Sequence, residues 1–172
     1  MIQTYLASLL FIVPLGAVGT YDLERPSVLE FASDGFDPSI GRGEGKAIEK
    51  IYYRFGQARR VDVQIEPDAR EPGVTNEVKT WHYDGLEIIT SGSVLTLGRW
   101  IDKITLTSPK YKLKFGLSIG LPREAFIAKL GQPSNEGPKA MGYWAYYHTS
   151  AVNIWFDEED QAEKITWEYF AD

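Results

Sequence analysis

Two histidines, a Ser-Gly-Ser run, an acidic tetrad and a glycine-rich turn are the residues of this 172-residue chain whose types and spacing could do chemistry. His82 and His148 could act as general bases. Each lies on an aromatic, strand-forming stretch, where a hydrogen-bonded structural imidazole is more common than a base. Ser91-Gly92-Ser93 has no nucleophile-elbow pattern around it and reads as a turn. Asp157-Glu158-Glu159-Asp160 could attract calcium, but it lacks the spaced ligands and the glycine of a calcium loop and reads as a hairpin tip. Gly41, Gly43 and Gly45 look like a phosphate loop, yet no Lys-Ser/Thr follows them. Cysteine is absent, which excludes disulfides, thiolate zinc sites, thiol nucleophiles and a lipidated amino-terminal cysteine. No nucleophile, base or metal set assembles, so the expectation is a protein that is not an enzyme and uses no cofactor or metal.

The elements that must position these residues announce themselves by repetition. Gly41 to Gln57 recurs, without a gap, as Gly116 to Gln132. The register is held by Gly41/Gly116, Gly45/Gly120, Glu49/Glu124, Gly56/Gly131 and Gln57/Gln132, and a repeat of this length reads as a structural unit. Trp81-His82-Tyr83 is echoed by Trp144-Ala145-Tyr146, and Asp102-Lys103-Ile104-Thr105 by Glu163-Lys164-Ile165-Thr166. In the second copy Pro122, Glu124, Lys129 and Gly131 mark a short helix over about Leu121 to Leu130, with Ala125, Phe126 and Leu130 as its apolar stripe. In the first copy Ile48, Ile51, Tyr52 and Phe55 form the corresponding stripe.

Strands follow each helix. Val61, Val63 and Ile65 alternate with polar residues, as do Trp81 with Tyr83, and Ile104 with Leu106. Lys110, Lys112 and Lys114 alternate with Tyr111, Leu113 and Phe115 and read as an edge-protecting strand between the repeats. Glu66 to Asn76 reads as a surface loop.

The apolar run Leu6 to Val13 and the small residues up to Gly19 have the form of a secretory signal, cleaved after Gly19. No Lys or Arg precedes Leu6, so the amino terminus alone supplies the positive end; an uncleaved anchor and a buried first strand are the other readings. The run is too short for a comfortable membrane span. The division expected is therefore 1–19 signal peptide, 20–40 amino-terminal arm (strand-like or extended), 41–108 first repeat and 109–172 second repeat. Net charge is −6, all of it carried from Asp157 onward. A neutral remainder with no basic cluster argues against nucleic acid. The acidic lobe suits encounter with a basic partner or, more plainly, solubility.

Phe115 to Pro122, the short helix, Leu130-Gly131-Gln132-Pro133, an aromatic strand and the final Glu163 to Trp167 strand together resemble the repeat of the SmpA/OmlA (BamE-like) outer-membrane assembly lipoproteins and of the beta-lactamase inhibitory proteins. Two copies in tandem resemble the inhibitors more. The resemblance covers roughly Gly41 to Phe170 and rests on glycines and apolar positions, so it speaks to fold more than to function. It implies an α+β fold of two tandem repeats, each a short helix plus antiparallel sheet, with helices on one sheet face and the other face open to grip a partner. The chain departs from both families: the inhibitors use disulfides, the lipoproteins a lipidated cysteine.

Strand alternation then names the open face. With Val152, Ile154, Phe156, Ile165 and Trp167 on the core side, Asn153, Trp155 and Glu168 point away. With Trp144 and Tyr146 taken as core like Trp81 and Tyr83, Tyr143 and Tyr147 project beside Trp155. His82 and Glu87 extend the face in the first copy. Exposed Trp and Tyr among polar groups have the composition of a protein-binding hot spot, and a one-residue register change would exchange the two faces. The function expected is an exported, periplasmic or secreted, non-catalytic protein-binding module: an inhibitor or immunity-type protein that binds an enzyme with a basic surface. The alternative is an envelope assembly or scaffold component of the SmpA/OmlA type, and a minor one is a small-ligand carrier or hydrolase using His82 or His148.

Overall fold

The structure is a computed structural model that describes residues 26–33, 35–36, 47–68, 71–94, 99–145 and 150–170. The expected signal segment, Gly41, Gly43 and Gly45, Tyr146, Tyr147 and His148 lie outside the described residues.

Hydrophobic alternation with period two dominates, and among the described residues it yields eight strands: β1 (Arg60–Pro67), β2 (Thr75–Tyr83), β3 (Leu86–Ser91), β4 (Trp100–Leu106), β5 (Asn135–Glu136), β6 (Ala140–Ala145), β7 (Ser150–Phe156) and β8 (Ala162–Tyr169). All eight join one antiparallel sheet in the order β1-β2-β3-β4-β8-β7-β6-β5. This overturns the expected pair of tandem helix-plus-sheet repeats. The last strand of the chain returns to its middle, so that Ile104 lies opposite Trp167 and Leu106 opposite Ile165. Local similarity between segments does not decide pairing; the apolar rows do. One row runs Val61, Trp81, Ile88, Ile104, Trp167, Val152, Tyr143 from strand to strand. The next runs Tyr83, Leu86, Leu106, Ile165, Ile154, Met141. The boundary expected at 108/109 thus falls between two stretches that share one sheet.

Among the described residues three short helices pack on the face carrying these rows: α1 (Pro26–Ser33), α2 (Ala47–Phe55) and α3 (Arg123–Leu130). The expected amino-terminal arm contains α1, whose Phe31 is buried and whose Phe31 carbonyl accepts from Trp167 Nε1 at 2.9 Å. Phe36 follows it onto the same indole, with ring centres 5.3 Å apart. From α2, Ile51 is buried and Phe55 meets Tyr83; Tyr52, expected on its apolar stripe, is exposed. On α3, Phe126 meets Phe156 edge-on and Leu130 is buried. Pro122 is the residue before the helix rather than in it, and Gly131 ends it at φ +87°, a left-handed conformation glycine adopts without steric cost.

Three further readings change. Lys110 to Lys114 form no strand; Lys110 lies in a turn and Lys114 begins a single 3₁₀ turn, Lys114–Gly116. The loop expected over Glu66 to Asn76 is shorter, since Glu66 and Asn76 pair within a hairpin. Val61, Val63 and Ile65 are 38%, 52% and 58% exposed instead of forming core, because β1 is the outermost strand.

Candidate protein-binding face

Residues opposite one another in an antiparallel ladder point to the same side of the sheet, so register defines the second face. A polar row crosses all eight strands: Arg60, His82, Glu87, Thr105, Thr166, Asn153, Gly142, Asn135. Beside it runs Asp62, Thr80, Ile89, Lys103, Glu168, Ala151, Trp144. The ring contacts of α1, α2 and α3 all fall on the opposite side.

His82, Glu87, Asn153, Glu168 and Trp155 therefore lie on this face, each half-buried. Tyr143 does not. It is 2% exposed, sits opposite Val152 in the core row, and donates its hydroxyl to the Gly131 carbonyl at 3.0 Å. Burial, with the charge of Glu136 as a lesser cause, pushes its phenol far above the usual tyrosine range. The echo of Trp81 in Trp144 misleads here. Trp81 faces Ile88 on the core side, whereas Trp144 faces Ala151 on the open side, and the alternation of Met141, Tyr143 and Ala145 is the signal that places β6 correctly. Tyr147 lies outside the described residues.

His82 is held from both sides. Nε2 lies 2.9 Å from Asp62 Oδ2 and 3.1 Å from the Arg60 guanidinium, and Nδ1 lies 3.2 Å from Glu87 Oε2. The ring thus ties β1, β2 and β3 together, and among the described residues no hydroxyl is hydrogen-bonded to it. Lys103 Nζ binds Glu168 Oε1 at 2.8 Å across the β4–β8 junction. At the row's centre, Thr166 is buried and its Oγ1 has no hydrogen-bond partner among the described residues. At Gly142 an added Cβ would collide with Asn135 Oδ1, so the two asparagines of the row close over a glycine. Among the described residues no group of three or more His, Asp or Glu could hold a metal ion.

Sequence reasoning missed the aromatic residues at the other end of the face. Trp144 stacks on Phe170 with ring centres 6.1 Å apart and planes 22° apart. Trp100, which opens β4 opposite Ser91, is 52% exposed, and Phe170 is 46% exposed. A bulge in β4, where the partners of Ile89 and Thr90 are Lys103 and Ile101, leaves Asp102 as the extra residue and turns Trp100 onto this side. No two-residue count along the sequence reveals that inversion. Trp155 lies toward the opposite end, under the ammonium of Lys164, which is 4.1 Å from its ring centre. The acidic tip is a turn in which Asp157 Oδ1 accepts from the backbone N–H groups of Glu159 and Gln161, each at 2.9 Å.

A cleft of about 350 Å³ opens on the helix side, lined by Phe36, Arg54, Phe55, Lys110, Tyr111 and Lys112. Lys110 is bound there by Asp84 at 3.0 Å. Among the described residues no helix is long and apolar enough to cross a membrane.

No family model matches this chain, and no curated protein matches it. Among solved structures, a DUF4309 family protein (YjgB) from Bacillus subtilis subsp. subtilis str. 168 is similar, with 15% identity and a TM-score of 0.44 over 83% of this chain and 93% of that one.

Proposed function

We propose that the protein is an exported, non-catalytic binding module that engages a protein partner through the open face of its sheet. The observation that supports this reading is the placement of Trp100, Trp144, Phe170 and Trp155 on the face opposite the described ring contacts of the three helices, with a continuous polar row among them. Large rings bordered by hydrogen-bonding groups are the residues that carry binding energy in protein interfaces. The partner class is an enzyme with a basic surface, drawn to the acidic turn at Asp157 to Asp160, and the role is that of an inhibitor or immunity-type protein in the periplasm or outside the cell. An envelope scaffold is the second reading, favoured if the partner is a membrane-assembly component instead of an enzyme.

The test is an affinity pull-down from envelope and culture-supernatant extracts with the tagged chain, using Trp100→Ala and Trp155→Ala as matched controls. Capture of one enzyme, weakened by either substitution by about 2 kcal/mol or more, is the expected result. A partner retained at full affinity by both variants sinks the face assignment.

A further inference from the structure

The two edges of the sheet are unequal. β5 ends it with two residues, whereas β1 ends it with eight. A long exposed edge strand is a template for another strand, and natural proteins blunt such edges. β1 carries Pro67 at its end and three charged side chains, Arg60, Asp62 and Glu66, along its length.

The direction of its backbone groups follows from the ladder. Asp68 N–H donates to the Val74 carbonyl at 2.9 Å, and the β1–β2 register continues to that pair. Close hydrogen-bonded pairs alternate with wide ones along an antiparallel ladder, so Arg60, Asp62, Gln64 and Glu66 turn their N–H and C=O groups toward β2. Val61, Val63 and Ile65 turn theirs outward, where no described strand pairs with them. Their side chains are also the exposed apolar ones, on the helix side but beyond the helices' cover.

We propose that β1 pairs antiparallel with β1 of a second copy of this chain, about a two-fold axis through Val63. The occupant is argued from self-complementarity. Centred on Val63, the pairing sets Val63 against Val63, Val61 against Ile65, and Arg60 against Glu66. Every outward N–H and C=O of Val61, Val63 and Ile65 then finds a partner, and opposite charges meet at both ends. Shifting the centre to Asp62 sets Asp62 against itself, and shifting it to Gln64 sets Asp62 against Glu66; like charges directly opposed disfavour both. Arg60 already binds Asp62 at 2.9 Å, but its five donors leave it free to reach Glu66 as well. The axis stands perpendicular to the sheet, so the dimer carries one sixteen-stranded sheet with both open faces on the same side.

The oligomeric state of the full chain, measured by light scattering on a sizing column at tens of micromolar, reads the proposal directly. Wild type is expected to run as a dimer. Val63→Pro removes an outward N–H and no β1–β2 bond, so it is expected to fold and run as a monomer. Arg60→Glu and Glu66→Arg are each expected to be monomeric alone and to form a dimer when mixed, because only the mixture restores opposite charges at both ends. That rescue keeps the test valid if the proline variant fails to fold. In the cysteine-free chain, Val63→Cys places two thiols across the axis at a Cα separation of about 5.5 Å, within disulfide reach, and is expected to give a covalent dimer on oxidation. A monomeric wild type overturns the proposal. A dimer unchanged by Val63→Pro and by both charge reversals overturns it in favour of another surface.

Discussion

Val61, Val63 and Ile65 of β1 and Val152, Ile154 and Phe156 of β7 obey the same alternation, yet the first three are exposed and the second three are buried. The difference lies in what is stacked above them. α1 packs against β6, β7 and α3, and Phe31, Phe36 and Phe126 fill the space over Trp167 and Phe156. Over β1 and the far end of β2 there is instead an ion-pair group, in which Glu77 joins Lys79 at 2.8 Å and Arg99. The sheet therefore carries its core from β3 across to β6, where Leu86, Ile88, Ile104 and Leu106 are as buried as Val152 and Ile154, while β1 and the far end of β2 overhang it. Alternation states which side of a strand is apolar; burial also requires a second layer.

The sharpest way to break this comparison is to truncate one apolar side chain under the helices and one in the overhang. Trp167→Ala removes the indole on which Phe31 and Phe36 pack, together with its hydrogen bond to the Phe31 carbonyl, and is expected to cost about 3–5 kcal/mol. Ile65→Ala, in the overhang, is expected to cost under about 1 kcal/mol. Urea unfolding monitored by tryptophan fluorescence for Ile65→Ala, and by circular dichroism for the indole variant, checks both. Comparable losses would show that the overhang is packed in solution.

Charged groups give the next contrast. Arg123 is buried at the start of α3: Nε donates to Asp160 Oδ1 at 2.9 Å, a terminal nitrogen donates to the Pro138 carbonyl at 2.9 Å, and the guanidinium lies 4.2 Å over the Phe156 ring. The partnership with Asp160 is the largest cause holding its pKa above the usual arginine value. Arg123→Ala takes this donor from the Asp160 carboxylate and the Pro138 carbonyl and is expected to cost about 2–4 kcal/mol. Lys79→Ala in the overhang group is expected to cost under about 1 kcal/mol. Denaturant midpoints of the two variants against wild type measure the difference.

How much of this was legible follows the same division. The strand sequences, the capped helix ending at Gly131 and the side of β7 and β8 that forms core could be read from period and turn residues, because those signals are local. The pairing of β4 with β8 could not, because it joins Lys103 to Glu168 across 65 positions, and the internal repeat suggests a different closure. The binding face was half legible: Trp155, Asn153 and Glu168 follow from β7 and β8, while Trp144 and Tyr143 exchange places once Trp144 is equated with Trp81. Trp100 depends on a bulge, and a bulge has no reliable signature in a single sequence.

A buried and a partly buried phenol extend the comparison to alkaline pH. Burial raises Tyr143 on β6, and raises Tyr83 on β2 with a smaller contribution from Tyr111. Below about pH 10 both are protonated in the folded and the unfolded chain. Above that, the unfolded chain releases protons that the folded chain retains, so stability falls as pH rises. Tyr143→Phe is expected to cost about 1 kcal/mol at neutral pH through its lost bond to Gly131 and to make the alkaline decline shallower. An unchanged decline would place Tyr143 in contact with water.

The smallest expected effect has the opposite sign and comes from the bulge. Asp102 is partly buried, and burial raises its pKa, against the lowering effect of the Ser91 hydroxyl that donates to Oδ1 at 2.9 Å. The folded chain therefore binds this proton at a pH where the unfolded chain has released it. The charge opposes folding at neutral pH, and the opposition is relieved as pH falls through the folded pKa toward the ordinary value of about 3.9. Asp102→Asn keeps an acceptor for Ser91 and removes the charge, so a gain of under about 1 kcal/mol is expected at pH 7, shrinking on acidification. Thermal unfolding of the two chains between pH 7 and pH 3 measures it. A variant that is less stable than wild type at pH 7 would mean that the carboxylate has a cationic partner at the bulge, and that the turn of Trp100 onto the open face is held by charge as well as by backbone geometry.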